Sequence, residues 1–141
     1  MDELTQQLAA LEVVEMLRRS KRMPLPRAEL VIEFGQLSCE IMRKRYKGCS
    51  EKIRSRRIKS SFGAPPLVIA KLWELLMEKA GPWPQRAEKK HLMWALHLAK
   101  VYSSESDLSS FVDCPEEKTY RKWAWMFLEG LASLEFDVVS D

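Results

Sequence analysis

Between Glu116 and Leu131 the chain reads EEKTYRKWAWMFLEGL, setting Lys118, Arg121 and Lys122 among Thr119, Tyr120, Trp123 and Trp125. Cations interleaved with aromatic rings are the residue types that grip a nucleic acid. Lys and Arg neutralise phosphates, and Arg also reads base edges through paired donors. A second basic cluster lies upstream. From Glu40 to Ser61 nine basic residues, among them Arg43, Lys44, Arg45, Arg54, Arg56, Arg57 and Lys59, stand against Glu40 and Glu51. The short clusters RKRYK and RSRRIK suit a phosphate-contacting arm or a nuclear import signal. The plainer alternative for such a run is a solvated face or a tether.

Other chemistries find little support in the residues. The chain has no GxSxG, no HExxH and no phosphate-cradling glycine loop, with only five glycines in all. Cys39, Cys49 and Cys114 are scattered and form no CxxC pair, and His91 and His97 lie apart from them in an apolar segment. Neither a disulfide framework nor a zinc site is expected, and the two histidines read as packed or surface residues. Glu135, Asp137 and Asp141 cluster at the C-terminal end with no strands to converge them. No catalytic residue, metal or cofactor is expected, and the protein is read as a non-enzyme.

Charge is divided along the chain. Up to Gly63 there are 14 Lys/Arg against 8 Asp/Glu, a net of +6; from Ala64 onward 9 against 12 give −3. A basic half joined to a mildly acidic half points to a polyanionic partner. The start MDELTQQL is acidic and polar, unlike a signal peptide, and no apolar run approaches the ~18–20 residues that cross a bilayer. A soluble protein without a membrane partner is expected.

The elements that must position these residues read as helices throughout, because apolar residues recur at three- and four-residue steps and strand-like alternation is almost absent. A first helix is expected over about 2–19, with Leu4, Leu8 and Leu11 on one face. SKRMPLPR breaks it, and a second helix follows Pro26 with Leu30, Phe34, Leu37 and Ile41 aligned. Gly48 suits that helix's C-cap. The basic stretch KGCSEKIRSRRIKSSFG has little to bury and is not assigned to a packed element. PPLVIAKLWELLMEKA gives a packed helix over 65–79, stopped by GPWP.

EKKHLMWALHLAKVY, apolar nearly all round, gives a central helix buried on several sides. A short helix begins near Ser104, with Asp107 three residues on and Leu108, Phe111 and Val112 inward. After a three-residue turn comes the opening stretch, a helix over about 116–132. Tyr120, Trp123, Phe127, Leu131 and Leu134 form its buried stripe, widened by Ala124 and Leu128. Trp125 falls outside it. Long helix, very short helix, short turn and long helix make a helix-turn-helix core over about 89–134. The fold is therefore read as all-α, with a basic helical extension over 1–60 and the helix-turn-helix domain over 61–141.

Three blocks in order, SFGAPPLVIAKLWELL, KHLMWALHLAKVYSSESDLSSF and KTYRKWAWMFLEGLASLE, resemble the N-terminal region of eukaryotic Harbinger-like DDE transposases. That family carries an FG-x-x-P-x5-lW segment, a KHLLWAL-type helix and a TFRKW-type helix in this order. The resemblance covers roughly residues 60–138. It implies a DNA-binding helix-turn-helix and a nuclear setting. Thr119, Arg121, Lys122 and Trp123 match the TFRKW-like positions, with Tyr120 standing where phenylalanine is common. The turn VDCPEE carries no glycine, and the family's catalytic domain has no counterpart before Asp141.

The expected function is a non-catalytic, transposase-derived DNA-binding protein. Lys118, Thr119, Arg121 and Lys122 would enter the major groove of double-stranded DNA, while the region 43–59 would contact neighbouring backbone or a minor groove. A second copy of the chain, or a separate transposase or nuclease subunit, is a further expected partner. The alternative is a helical protein–protein interaction module, a dimeriser or adaptor, that docks through the Leu4 or Leu30 stripe. Those stripes also suffice simply to cover the core. DNA binding in this form requires Tyr120 and Trp123 to point inward and Arg121 and Lys122 not to be covered by the N-terminal helices.

Overall fold

The computed structural model describes residues 2–20, 25–45, 50–101, 105–112, 114 and 116–135. The described residues form seven helices and no strand: α1 (Glu3–Arg19), α2 (Ala28–Arg45), α3 (Glu51–Phe62), α4 (Pro66–Lys79), α5 (Lys89–Lys100), α6 (Glu105–Phe111) and α7 (Glu117–Ser133). The fold is all-α. Gly48, Ser104, Asp137 and Asp141, given roles above, lie outside the described residues.

The buried centre is α5. Good helix formers (Leu, Met, Ala, Lys) dominate its sequence, and every residue from His91 to Ala99 is buried. The remaining helices are arranged around it: α7 packs along it, α3 and α1 lie against other sides, and α6 touches its far end. One apolar core results, drawing on α1 and α2 as well as the C-terminal helices, so residue 60 separates no two cores.

Helix ends follow local chemistry. Asp2 caps α1 by accepting the Thr5 N–H at 2.7 Å, and that bond holds its carboxyl below the ordinary carboxylate range. Pro66 opens α4, where a missing donor is harmless, and the chain after Lys79 turns away at GPWP as expected. At the end of α3 the backbone takes φ +76° at Gly63, a left-handed conformation that other residues reach only with strain.

Two expectations need correction. Leu4 and Leu8 do not cover the core; they are 60% and 58% exposed. The face of α1 that packs inward carries Ala9, Ala10, Val13, Val14 and Leu17 instead. Leu4 and Leu8 lie nearly opposite that face on a helix of 3.6 residues per turn, while Leu11 packs partly against the core. Small side chains let α1 settle close to α4, α5 and α7, so shape outweighed bulk. The second stripe behaves as cover: Leu30 and Phe34 are buried, and Leu37 and Ile41 pack partly against the core.

The second correction concerns the basic stretch: a helical extension is present there, from Glu51 to Phe62, as expected, but it is packed at one end. Among its described side chains the buried ones lie at the C-terminal end. Ser61, Phe62 and Ala64 are buried, and the Phe62 ring meets His97 at 5.9 Å and Phe111 at 6.3 Å, both edge-on. This terminal anchor helps to seat the helix on α5, and the periodicity of the run gives no hint of it.

Candidate nucleic-acid interface

The first two turns of α7 are built on an aromatic cluster. Tyr120 is fully buried and Trp123 nearly so, as the stripe at three- and four-residue spacing predicts. Trp123 stacks on the His91 imidazole, with ring centres 4.2 Å apart and planes within 6°. Trp94 meets His91 edge-on at 4.8 Å and lies 5.8 Å from Tyr120. The Nδ1 of His91 accepts the Glu88 backbone N–H at 3.0 Å, so the neutral ring carries its proton on Nε2. Burial pushes its pKa down to about 4; the Glu88 carboxylate opposes that shift and the Lys90 ammonium reinforces it.

With those rings turned inward, Lys118, Arg121 and Lys122 are left exposed on the outer side of α7. They are not equivalent. The Lys122 ammonium lies 5.2 Å from the Trp123 ring centre, a cation–π arrangement that fixes its stem. Arg121 is engaged twice. Its guanidinium sits 5.9 Å from the Trp125 ring centre and donates to the Glu3 carboxylate of α1 at 2.9 Å. Its side chain remains 51% exposed. The N-terminal helix therefore touches one of the two cations without covering it. Thr119 is half-buried, and its hydroxyl donates to Glu116 at 2.9 Å, back toward its own helix start.

The turn before α7 closes without glycine. The Cys114 N–H bonds the Ser109 carbonyl at 2.8 Å, the long closing bond of a Schellman-type helix end. Cys114 itself is buried, and its thiol donates to the Glu116 carbonyl at 3.3 Å. Phe111 stacks on His97 at 4.0 Å, and the His97 Nδ1 lies 2.9 Å from the Ser61 carbonyl. One imidazole thus joins the ends of α3 and α6 to α5.

The two basic clusters do not pack against each other. α3 rests on α2 and α5, and α7 on α5, α1, α6 and α4. Their anchors on α5, His97 for α3 and His91 for α7, are six residues apart, which is about 9 Å along the helix and about 120° around it. Arg56 and Arg57 on α3 are exposed. Arg43, Lys44, Arg45, Arg54 and Lys59 belong to α2 and α3 by their backbone, and their side chains lie outside the described ones.

Two residues that matter here were not singled out by sequence. Trp83, read only as part of a helix-breaking GPWP, stacks on Phe127 at 4.4 Å, and its Nε1 donates to the Leu76 carbonyl at 3.0 Å. Its signal was Gly130 in mid-helix: a methyl group there would stand 2.7 Å from the Trp83 ring. Glu3 gave no signal, since its partner Arg121 is 118 residues away.

Among the described residues no helix is long and apolar enough to cross a membrane, and no three His, Cys, Asp or Glu side chains come together as a metal site. Compared with protein families, with curated proteins and with solved structures, the chain matches none.

Proposed function

We propose that the chain is a non-catalytic, transposase-derived DNA-binding protein acting in the nucleus, with α7 as its recognition helix in a helix-turn-helix formed by α5, α6 and α7. One observation carries this reading: burial of Tyr120 and Trp123 leaves Lys118, Arg121 and Lys122 exposed on the opening turns of a long helix that follows a short one. The resemblance of residues 60–138 to the Harbinger-like N-terminal region supports it, as does the basic helix α3. Thr119, bonded to Glu116, contributes to the groove only if that bond exchanges.

The test is fluorescence anisotropy of the full chain on random and selected duplexes at two salt concentrations. Arg121→Ala with Lys122→Ala is expected to weaken binding and to flatten the log–log salt slope by about 0.9 per lost phosphate contact. Unchanged affinity and unchanged sequence preference would reject α7 as the reading helix.

A second reading is favoured by a different observation. Leu4 and Leu8 stand in water on the outer face of α1, as a docking stripe for another protein would. A chain that stays monomeric by light scattering and has no duplex affinity at low salt would leave this reading in place of the first.

A further inference from the structure

Beside the exposed cations of α7 runs a cleft of about 580 Å³, with Glu3 and Gln6 of α1 on one wall and Lys118, Arg121, Lys122 and Trp125 of α7 on the other. Three cations converge on a space into which α1 extends one carboxylate. The Glu3 oxygen meets the Arg121 guanidinium at 2.9 Å, the distance at which a phosphate oxygen pairs with arginine. Both side chains are about half exposed or more, at 61% for Glu3 and 51% for Arg121. Pairs of that kind shift an equilibrium by only about one-and-a-half- to fivefold and exchange readily with another anion.

Two further observations bear on the same place. Helix α1 does not need Glu3 to begin, because Asp2 already caps it through Thr5. Trp125, which forms part of the cleft wall, contains the one buried side-chain nitrogen or oxygen without a hydrogen bond among the described residues, its indole Nε1. A buried donor left unpaired is costly, and it is uncommon away from sites with a further partner to receive.

We infer that this cleft is a phosphate seat which the chain fills with its own Glu3 carboxylate. A DNA phosphodiester gains Arg121 by displacing Glu3, so the first turn of α1 competes with duplex for the recognition helix. The inference rests on the DNA-binding function proposed above and adds to it the residue that limits affinity.

The full chain, titrated against duplex by anisotropy, tests it with four variants. Glu3→Gln is expected to tighten binding about two- to fivefold, because the phosphate no longer has to displace a carboxylate. Arg121→Ala alone is expected to weaken binding and to flatten the log–log salt slope by about 0.9, the phosphate contact it removes. Combined with Glu3→Gln it is expected to erase the gain. Glu12→Gln, which removes one exposed charge from the same helix without touching the cleft, separates local competition from general repulsion and is expected to stay within about 1.5-fold of wild type.

A wild type that binds duplex and a Glu3→Gln variant that binds no better would overturn the inference and leave the DNA-binding function standing. A gain matched by Glu12→Gln, or one that survives Arg121→Ala, would do the same. No duplex affinity at low salt in any of the chains would overturn both.

Discussion

Two clefts on this molecule are built from the same three parts and differ in sign. In the cleft between α1 and α7, Arg121 lies over Trp125 and pairs with Glu3. In a second cleft of about 500 Å³, where α2 and α4 meet the start of α5, Lys89 lies 5.4 Å from the Trp73 ring centre and pairs with Glu33 at 3.0 Å. The first sets Lys118, Arg121 and Lys122 against Glu3 and Glu129, three charges to two. The second sets Lys89 and Lys90 against Glu33, Glu40 and Glu88, two to three. A tryptophan–cation–carboxylate arrangement therefore says nothing about ligand sign by itself. The surrounding surplus, one positive charge in the first cleft and one negative in the second, is what distinguishes them.

The indoles differ as well. Trp73 lies nearly parallel to Phe127 at 6.0 Å and approaches Phe34 at 6.1 Å, so its cleft is an outgrowth of the core. Trp125 has no such aromatic backing among the described contacts, and its N–H is unspent. The acidic cleft is thus backed by core aromatics, whereas the basic one is bridged at its surface by an exposed ion pair.

Phe127→Ala should separate the two most strongly. It removes a fully buried ring on which both Trp73 and Trp83 stack, at an expected cost of about 3–5 kcal/mol by urea unfolding. Trp125→Ala, beside the basic cleft, should cost less than half of that. Equal losses would mean that the two clefts are equally tied to the core.

Acid should also act on one side only. His91 supports Glu88, which lines the acidic cleft, and its folded pKa lies near 4, below its ordinary value of 6.5. Between those values the unfolded chain binds the proton and the folded chain does not. The contribution is therefore fully present above pH 6.5 and is lost as pH falls toward 4. Unfolding measured at pH 7 and pH 4.5 should show about 2–3 kcal/mol more loss for wild type than for His91→Gln. Parallel pH profiles would mean the ring is not held neutral by burial.

A smaller effect is expected at Gly130. Alanine gains helix propensity, by about 1 kcal/mol at most, but its methyl meets the Trp83 ring at 2.7 Å. Displacing that ring should leave a net loss of about 1–2 kcal/mol, with a change in tryptophan emission. The smallest effect on stability should come from Glu33→Gln and Glu3→Gln, each under about 1 kcal/mol in thermal unfolding. Only the second should alter duplex affinity, and a gain from the first would remove the distinction between the clefts.

The helices were legible from the spacing of apolar residues, most clearly in α7, where Tyr120, Trp123, Phe127, Leu131 and Leu134 are all buried. That pattern is local, and one helix contains all of it. The face of α1 was misjudged because periodicity weighs size, whereas packing against a finished surface selects the small residues Ala9 and Ala10. The helicity of α3 depends on Phe62 finding His97 and Phe111, contacts that are distant in sequence. For the candidate site, the three exposed cations followed from the inward aromatics. Glu3 did not, since nothing near Asp2 encodes a meeting with Arg121.

The burial of nine consecutive residues from His91 to Ala99 sets how the protein breathes. An amide in a segment enclosed on all sides meets deuterium only when the whole structure opens, so exchange along α5 measures global stability. The first turn of α1, attached through solvent-facing groups, opens on its own at far lower free energy. Fraying of that turn requires no unfolding elsewhere, so the chain can release its N-terminus while the helices that carry Trp123 and Phe127 remain in place.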